Sequence, residues 1–453
     1  MTVTFRENAA ELDGLPTPRR TWAAAGLWIG MAMSVIDSSI VNIALPTISR
    51  DLSVSSATTT WIVTAYQIAI VMTLLPMAAL GERLGYHRVY LGGLVLFILM
   101  SVCCAFAPGL EALAAFRFVQ GLGAAAMMGV NGAQLRFVWP RALLGRGIAY
   151  NAVVVSCTAA AGPGLAGFLL TIADWPWLFL VNVPIGLLAL ALVLGFGPRT
   201  PAATSTFDYP GAALNAIMFC ALFLAASEAV HGGPSLWLAG CMLTGLAAGA
   251  ALVARSRSNT RPMIPFDLIR IKRMQKAYGA SICAFAAQMC MLVSLPFLLE
   301  GQLHLDVATV GFLLLSLPIM IALSSPVAGH MADKHWAGLM SALGLCLNAA
   351  ALVALAVMIR HHAPLAALAA ALACCGLGFG LFQSPNNNVM LRTGPLDRAG
   401  AASGMQSTCR LTGQTIGALL AALALRFPQL GAEAALYLSA GLTLCAAAFA
   451  RAR

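Results

Sequence analysis

Few residues in this chain could carry chemistry, and those few lie where water is scarce. Asp37 sits in LWIGMAMSVIDSSIVNIALP, residues 27–46, a stretch otherwise apolar enough for a lipid bilayer. Arg117 lies in LAAFRFVQGLGAA, 113–125, and Arg410 in SGMQSTCRLTGQTIGA, 403–418. An ionised side chain in hydrocarbon costs at least ~2.5 kcal/mol, so such residues face a cavity or an opposite charge. One acid and two arginines in apolar sequence point to charge pairing and proton gain or loss, not to bond cleavage. There is no phosphate-binding glycine loop, nucleophile triad or metal-ligand spacing, so neither an enzyme nor ATP-driven transport is expected, and no metal or cofactor.

The elements that must hold these residues follow from composition. The chain has 453 residues, 60% hydrophobic and 9% charged. A soluble chain carries about 25% charged residues. The apolar residues form fourteen blocks between 22 and 450, each near the roughly 20 residues that cross the hydrocarbon layer as a helix. The expected fold class is therefore all-α integral membrane, with fourteen spans. The twelve cysteines fall inside those blocks and read as small hydrophobes rather than a disulfide framework. Residues 1–21 are polar, with Pro16, Pro18, Arg19 and Arg20, and read as a cytoplasmic tail rather than a cleaved signal.

With fourteen spans, 21 of the 26 Lys and Arg residues fall on the side shared by the two termini, and three on the other. The bias places both termini in the cytoplasm. It also accounts for the net charge of +10 without nucleic acid. The basic segment 255–275 reads as a cytoplasmic connector resting on anionic headgroups.

Depth links the charges. Asp37 lies about 15 residues, or about 22 Å, from the inner start of an outgoing helix, and Arg117 about 10 Å below the outer start of an incoming one. The two reach similar depth and are expected to pair. A guanidinium stabilises the carboxylate while dehydration stabilises the neutral acid, a balance that suits a proton carrier. The alternative is a pair that only fixes packing. Arg410 lies near mid-bilayer with no acidic partner in its own half. It could pair across a cavity with Asp37, bond polar groups such as Gln383, Asn386 and Asn387, or meet an anionic substrate.

The chain also repeats itself. GERLGYHR (81–88) and GHMADKHWAG (329–338) place Glu82-Arg83 and Asp333-Lys334 251 residues apart, and Arg146 and Arg398 are 252 apart. Duplicated halves around a shared site are transporter architecture. The expected organisation is a tail (1–21), a six-helix bundle (22–197), two inserted helices (198–254), the connector (255–275) and a second six-helix bundle (276–450).

LAAFRFVQGLGAA resembles the fourth-helix motif of the major facilitator superfamily, and AAAGPGLAGFLL (159–170) its antiporter signature. IDSSIVNIALPTI (36–48), WPWLFLVNVPIG (175–186), GFGLFQSPNNN (378–388) and the segment around Arg410 are similar to helices of its fourteen-span drug–proton antiporters. The resemblance implies a major facilitator fold, proton coupling at Asp37 and Arg117, and a bent, sealing fifth helix at Gly162, Pro163 and Gly167. It implies a cytoplasmic gate at Glu82, Arg83 and Gly85, with Asp333 and Lys334 in the second half. Ala78, Glu82 and Tyr86-His87 depart from the family's usual Gly, Asp and basic pair in that gate. Asn42, Gln120, Gln383, Asn386, Asn387 and Arg410 are the candidate cavity residues. The expected activity is export of small amphipathic or cationic drug-like compounds across a bacterial inner membrane, in exchange for protons, by alternating access. The expected unit is a monomer whose partners are its solute, protons and the bilayer. The alternatives are proton-coupled transport of one metabolite, an anionic one included, and a non-transporting membrane sensor.

Overall fold

A computed structural model describes residues 13–54, 56–59, 61–200, 207–231, 236–258, 266–305, 307–332, 337–394, 398–426 and 433–451. In hydrocarbon every backbone N–H and C=O must be bonded within the chain, and long apolar blocks satisfy this as helices. The long helices are α1 (Arg19–Asp51), α2 (Trp61–Leu84), α3 (Tyr86–Ala105), α4 (Leu110–Val138), α5 (Leu144–Ile172), α6 (Asn182–Phe196) and α7 (Tyr209–His231). They continue with α8 (Leu236–Ser258), α9 (Lys272–Leu303), α10 (Val307–Ala332), α11 (Ala337–Arg360), α12 (Leu365–Thr393), α13 (Ala399–Arg426) and α14 (Ala434–Arg451). Among the described residues, 11 helices are long and apolar enough to cross a membrane; α1, α7 and α13 fall outside that set. The protein is a multi-pass membrane protein.

Helices α1–α6 pack mainly on one another, and so do α9–α14. The closest partners in the first set are α2 with α4, α3 with α4, α1 with α5 and α1 with α6. The second set repeats these as α10 with α12, α11 with α12, α9 with α13 and α9 with α14, and adds α11 with α14. Each pair in one set matches a pair eight helices later, so the repeat in the sequence is a repeat in packing. It reaches single residues. A Cβ on Gly93 would lie 2.8 Å from the Gly123 carbonyl oxygen where α3 meets α4, and one on Gly344 would lie 2.6 Å from the Gly378 carbonyl oxygen where α11 meets α12. Both crossings depend on glycine for backbone-to-backbone approach.

The two sets meet along two seams, α2 with α13 and α5 with α10, which the repeat makes equivalent. Helices α7 and α8 pack as a pair outside them, with α7 against α2 and also touching α13. The turn between α2 and α3 is a single residue. Gly85 adopts φ +94°, which glycine enters without strain, and its N–H still reaches the Gly81 carbonyl at 3.0 Å. The tight turn sets Glu82 and Tyr86 side by side against the start of α13.

Candidate functional site

A fully buried charge cluster occupies the interior of the first bundle. Asp37 and Arg117 are both 0% exposed. Arg117 Nη1 donates to Asp37 Oδ2 at 2.5 Å and to Gln120 Oε1 at 2.6 Å, and Arg117 Nε donates to the Ile62 carbonyl at 3.4 Å. The other carboxylate oxygen, Asp37 Oδ1, accepts from Asn182 Nδ2 at 2.8 Å and from Gln120 Nε2 at 3.3 Å. Gln120 Nε2 also donates to Ser101 Oγ at 2.8 Å. The guanidinium carbon stands 4.1 Å from the centre of the Tyr66 ring, a cation–π contact on the face that hydrogen bonds leave open. Five helices, α1, α2, α3, α4 and α6, each supply a member, so the cluster also ties the bundle together. Buried charges persist when paired; here both carboxylate oxygens are hydrogen-bonded, while Arg117 Nη2 has no hydrogen-bond partner.

The cluster is next to a cavity, not in it. A chamber of about 560 Å³ lies between the two sets of helices, lined by Ser34, Tyr66, Gln67, Met289, Arg410 and Gln414 among others. Ser34 and Ser38 flank Asp37 on α1 and line the chamber, whereas Asp37 does not. Tyr66 belongs to both: it lines the chamber and covers Arg117. A smaller space of about 50 Å³ continues from it, walled by Asn131, Asn151, Gln383, Asn387, Gln406 and Arg410. Met128, Val155 and Arg410 line both.

Below the smaller space the two sets close on each other. Arg398 Nη1 donates to Glu82 Oε2 at 2.9 Å. The backbone N–H of Ala401 donates to Glu82 Oε1 at 2.8 Å, and that of Gly400 to the Tyr86 hydroxyl at 2.9 Å. The first N–H groups of a helix have no partner within it and carry its positive end. The carboxylate of α2 and the phenol beside it thus cap α13 from the other half. Arg136 Nη2 donates to the Gly394 carbonyl at 2.8 Å and the Gly132 N–H to Ser403 Oγ at 3.0 Å, at the same end. On the equivalent seam, Arg146 Nη2 contacts His330 Nε2 at 2.7 Å.

Several sequence expectations are corrected by these contacts. Of the two gate residues, Glu82 pairs with Arg398 across the halves, whereas Arg83 does not join that contact and reaches the Tyr209 hydroxyl of α7 at 3.4 Å. Gln120 is a member of the charge cluster rather than of the cavity wall. Asn386 is turned away from the cavity and braces α12 on α9, donating to Ser281 Oγ at 2.9 Å and to the Ala277 carbonyl at 3.3 Å. Gln383, Asn387 and Arg410 do line the smaller space. In the antiporter segment Gly162 is buried within α5, but a Cβ on Gly167 would meet nothing within 4 Å, so Gly167 makes no close helix contact here. Asp333, Lys334 and the side chains of Asn42 and Pro163 lie outside the described residues. Ser101, Asn182 and Tyr66 were not singled out from the sequence. Asn182 carried a signal, as the one amide in the apolar segment WPWLFLVNVPIG.

The profile of the Major Facilitator Superfamily matches residues 27–253 and 277–452. The chain belongs to this superfamily. It is a transporter, as its relatives are, and not an enzyme. It is 41% identical over 440 residues to the Escherichia coli (strain K12) protein named "Uncharacterized transporter YebQ", covering 96% of each chain. It is 30% identical to "Riboflavin transporter RibZ" of Clostridioides difficile (strain 630), over 84% of this chain and 83% of that one. It is 31% identical to "Multidrug resistance protein Stp" of Mycobacterium tuberculosis (strain CDC 1551 / Oshkosh), over 93% of this chain and 77% of that one. The fold is similar to that of a solved human transporter, MFSD10, with a TM-score of 0.67 at 16% identity, covering 96% of this chain and all of that one.

Proposed function

We propose that this facilitator exports small amphipathic compounds across a bacterial inner membrane in exchange for protons, using fourteen spans with both termini in the cytoplasm. One observation carries the reading: a cavity between the two six-helix sets, sealed at the Glu82 end by bonds that run from one set to the other. Bonds between rigid halves can break and reform together, which is what alternating access requires. With the termini cytoplasmic, the sealed end is the cytoplasmic one and this conformation faces outward. The names of the relatives, a riboflavin transporter and a multidrug resistance protein, support small organic solutes as cargo.

In this reading Asp37 takes a proton from outside and releases it inside. Protonation removes the charge that faces Arg117, and the guanidinium then turns to its remaining cover, the Tyr66 ring on the cavity side. Tyr66 thereby couples the proton site to the solute site through one side chain. The test is efflux of fluorescent amphipaths, riboflavin included, from proteoliposomes with an imposed pH gradient. Asp37→Asn should lose gradient-driven transport while keeping gradient-free exchange of the same compound. Undiminished gradient-driven transport by that variant refutes the proton assignment.

A further inference from the structure

Arg410 holds a position that neither the fold nor the charge cluster explains. It lines both chambers, and among the described residues it is the one charged side chain that lines either. Its Nε is buried without a hydrogen-bond partner. Among the described residues no ion pair or hydrogen bond ties Arg410 to a carboxylate. Asp37 is already filled on both oxygens, by Arg117 on one and by Asn182 and Gln120 on the other. The amide of Asn386 is committed to α9. Among the described residues no hydrogen bond joins Arg410 to Gln383 or Asn387, although both share its chamber wall.

A guanidinium has five donors in a fixed fork and stays charged, so a half-dry neutral pocket around it selects for a carboxylate, sulfonate or phosphate group. The larger chamber adds a second requirement. Its volume of about 560 Å³ suits a drug-sized molecule, and Ile70, Val71, Phe223, Met289 and Leu419 give it apolar walls. The smaller polar space beyond Arg410 has room for only a few waters, which would complete the solvation of a charged group held at the boundary.

Resting on the proposed transport reading, we infer that the solute is an amphipathic organic anion, its charged group held by Arg410 and its apolar body in the larger chamber. A cationic compound, which the resemblance to drug antiporters implies, meets like charge and, among the described residues, no carboxylate in this cavity.

The test uses one apolar body with three charges: pyrenebutyrate, its primary amide and pyrenebutylamine. Binding is read by fluorescence with the full chain in phosphatidylcholine nanodiscs. The acid should bind about tenfold or more tightly than the amine, the scale of one charge-assisted hydrogen bond. Arg410→Gln should erase that preference while the amide's affinity stays within about threefold, and Arg410→Lys should restore part of it. Equal or tighter binding of the amine overturns the inference, as does a preference that survives Arg410→Gln. Loss of acid binding when phosphatidylglycerol is added to the nanodiscs also overturns it, assigning the arginine to a lipid headgroup. Binding of all three probes without charge preference sinks this inference alone, whereas failure of all three to bind sinks the cavity reading beneath it as well. A monodisperse, unshifted melting profile for Arg410→Gln separates lost recognition from lost folding.

Discussion

At the scale of single residues, the charge cluster is held from several sides, and its members differ in weight. Arg117→Met leaves a buried carboxylate with two amide donors and no counter-charge. Breaking a buried pair in this way costs about 3–5 kcal/mol, and the loss should appear as a large fall in the melting temperature of the purified transporter. Asn182→Ala removes one of the two donors to Asp37 Oδ1. It should cost less, about 1.5–3 kcal/mol for one hydrogen bond to a charged group, since Gln120 still donates to that oxygen. Similar losses for the two variants would mean that the ion pair contributes little beyond its hydrogen bonds. The pairing of Asp37 with Arg117 was legible in the sequence because charges in lipid are rare and helical rise converts residue counts to depth. Asn182 and Ser101 were not, because a lone polar residue in an apolar helix sets no periodicity that reveals which way it faces.

At the scale of elements, the decisive contact is the capping of α13 by α2. Glu82→Ala removes an ion pair and a cap together. Removing about 1.5–3 kcal/mol from one conformation shifts a two-state balance roughly ten- to a hundredfold. Spin labels on the α2–α3 turn and at the start of α13 should therefore report a longer separation, the Glu82 end having opened. The double variant Glu82→Arg with Arg398→Glu re-forms the ion pair but not the cap, and should restore only part of the closed population. Full restoration would mean that the helix terminus contributes nothing. The partners Glu82 and Arg398 are 316 residues apart, a separation that no local pattern encodes. The repeat singled out both residues but paired each with its equivalent in the other half, not with its true contact.

At the scale of the whole molecule, the two seams are copies and should act alike. A Cβ on Gly404 would lie 2.6 Å from the Ala78 Cβ on the α2–α13 seam, and one on Gly329 would lie 2.5 Å from the Ala149 Cβ on the α5–α10 seam. Gly404→Ala and Gly329→Ala should each weaken closure of the Glu82 end and add when combined, read with the same spin labels. Position 78 is where this chain carries alanine in place of the glycine usual in the resembled motif. Ala78→Gly should therefore rescue Gly404→Ala. No rescue would mean that the seam has slack elsewhere. The membrane class and the duplication were open to reading because hydrocarbon thickness and the positive-inside bias act on stretches of many residues. The conformation was not, since opposite states of a rocking transporter share one set of helices and differ in which seams are shut.

The covered position of Asp37 has a consequence for the host cell. The acid is at 0% exposure and does not line the chamber, whereas Tyr66 lines it and covers Arg117, the partner of the carboxylate. Under the proposed exchange, an idle copy cannot ferry ions on its own. A membrane crowded with this protein would then keep its electrochemical charge, and Tyr66→Ala should turn the same membrane leaky, measurable as faster collapse of a pH gradient in liposomes carrying no solute.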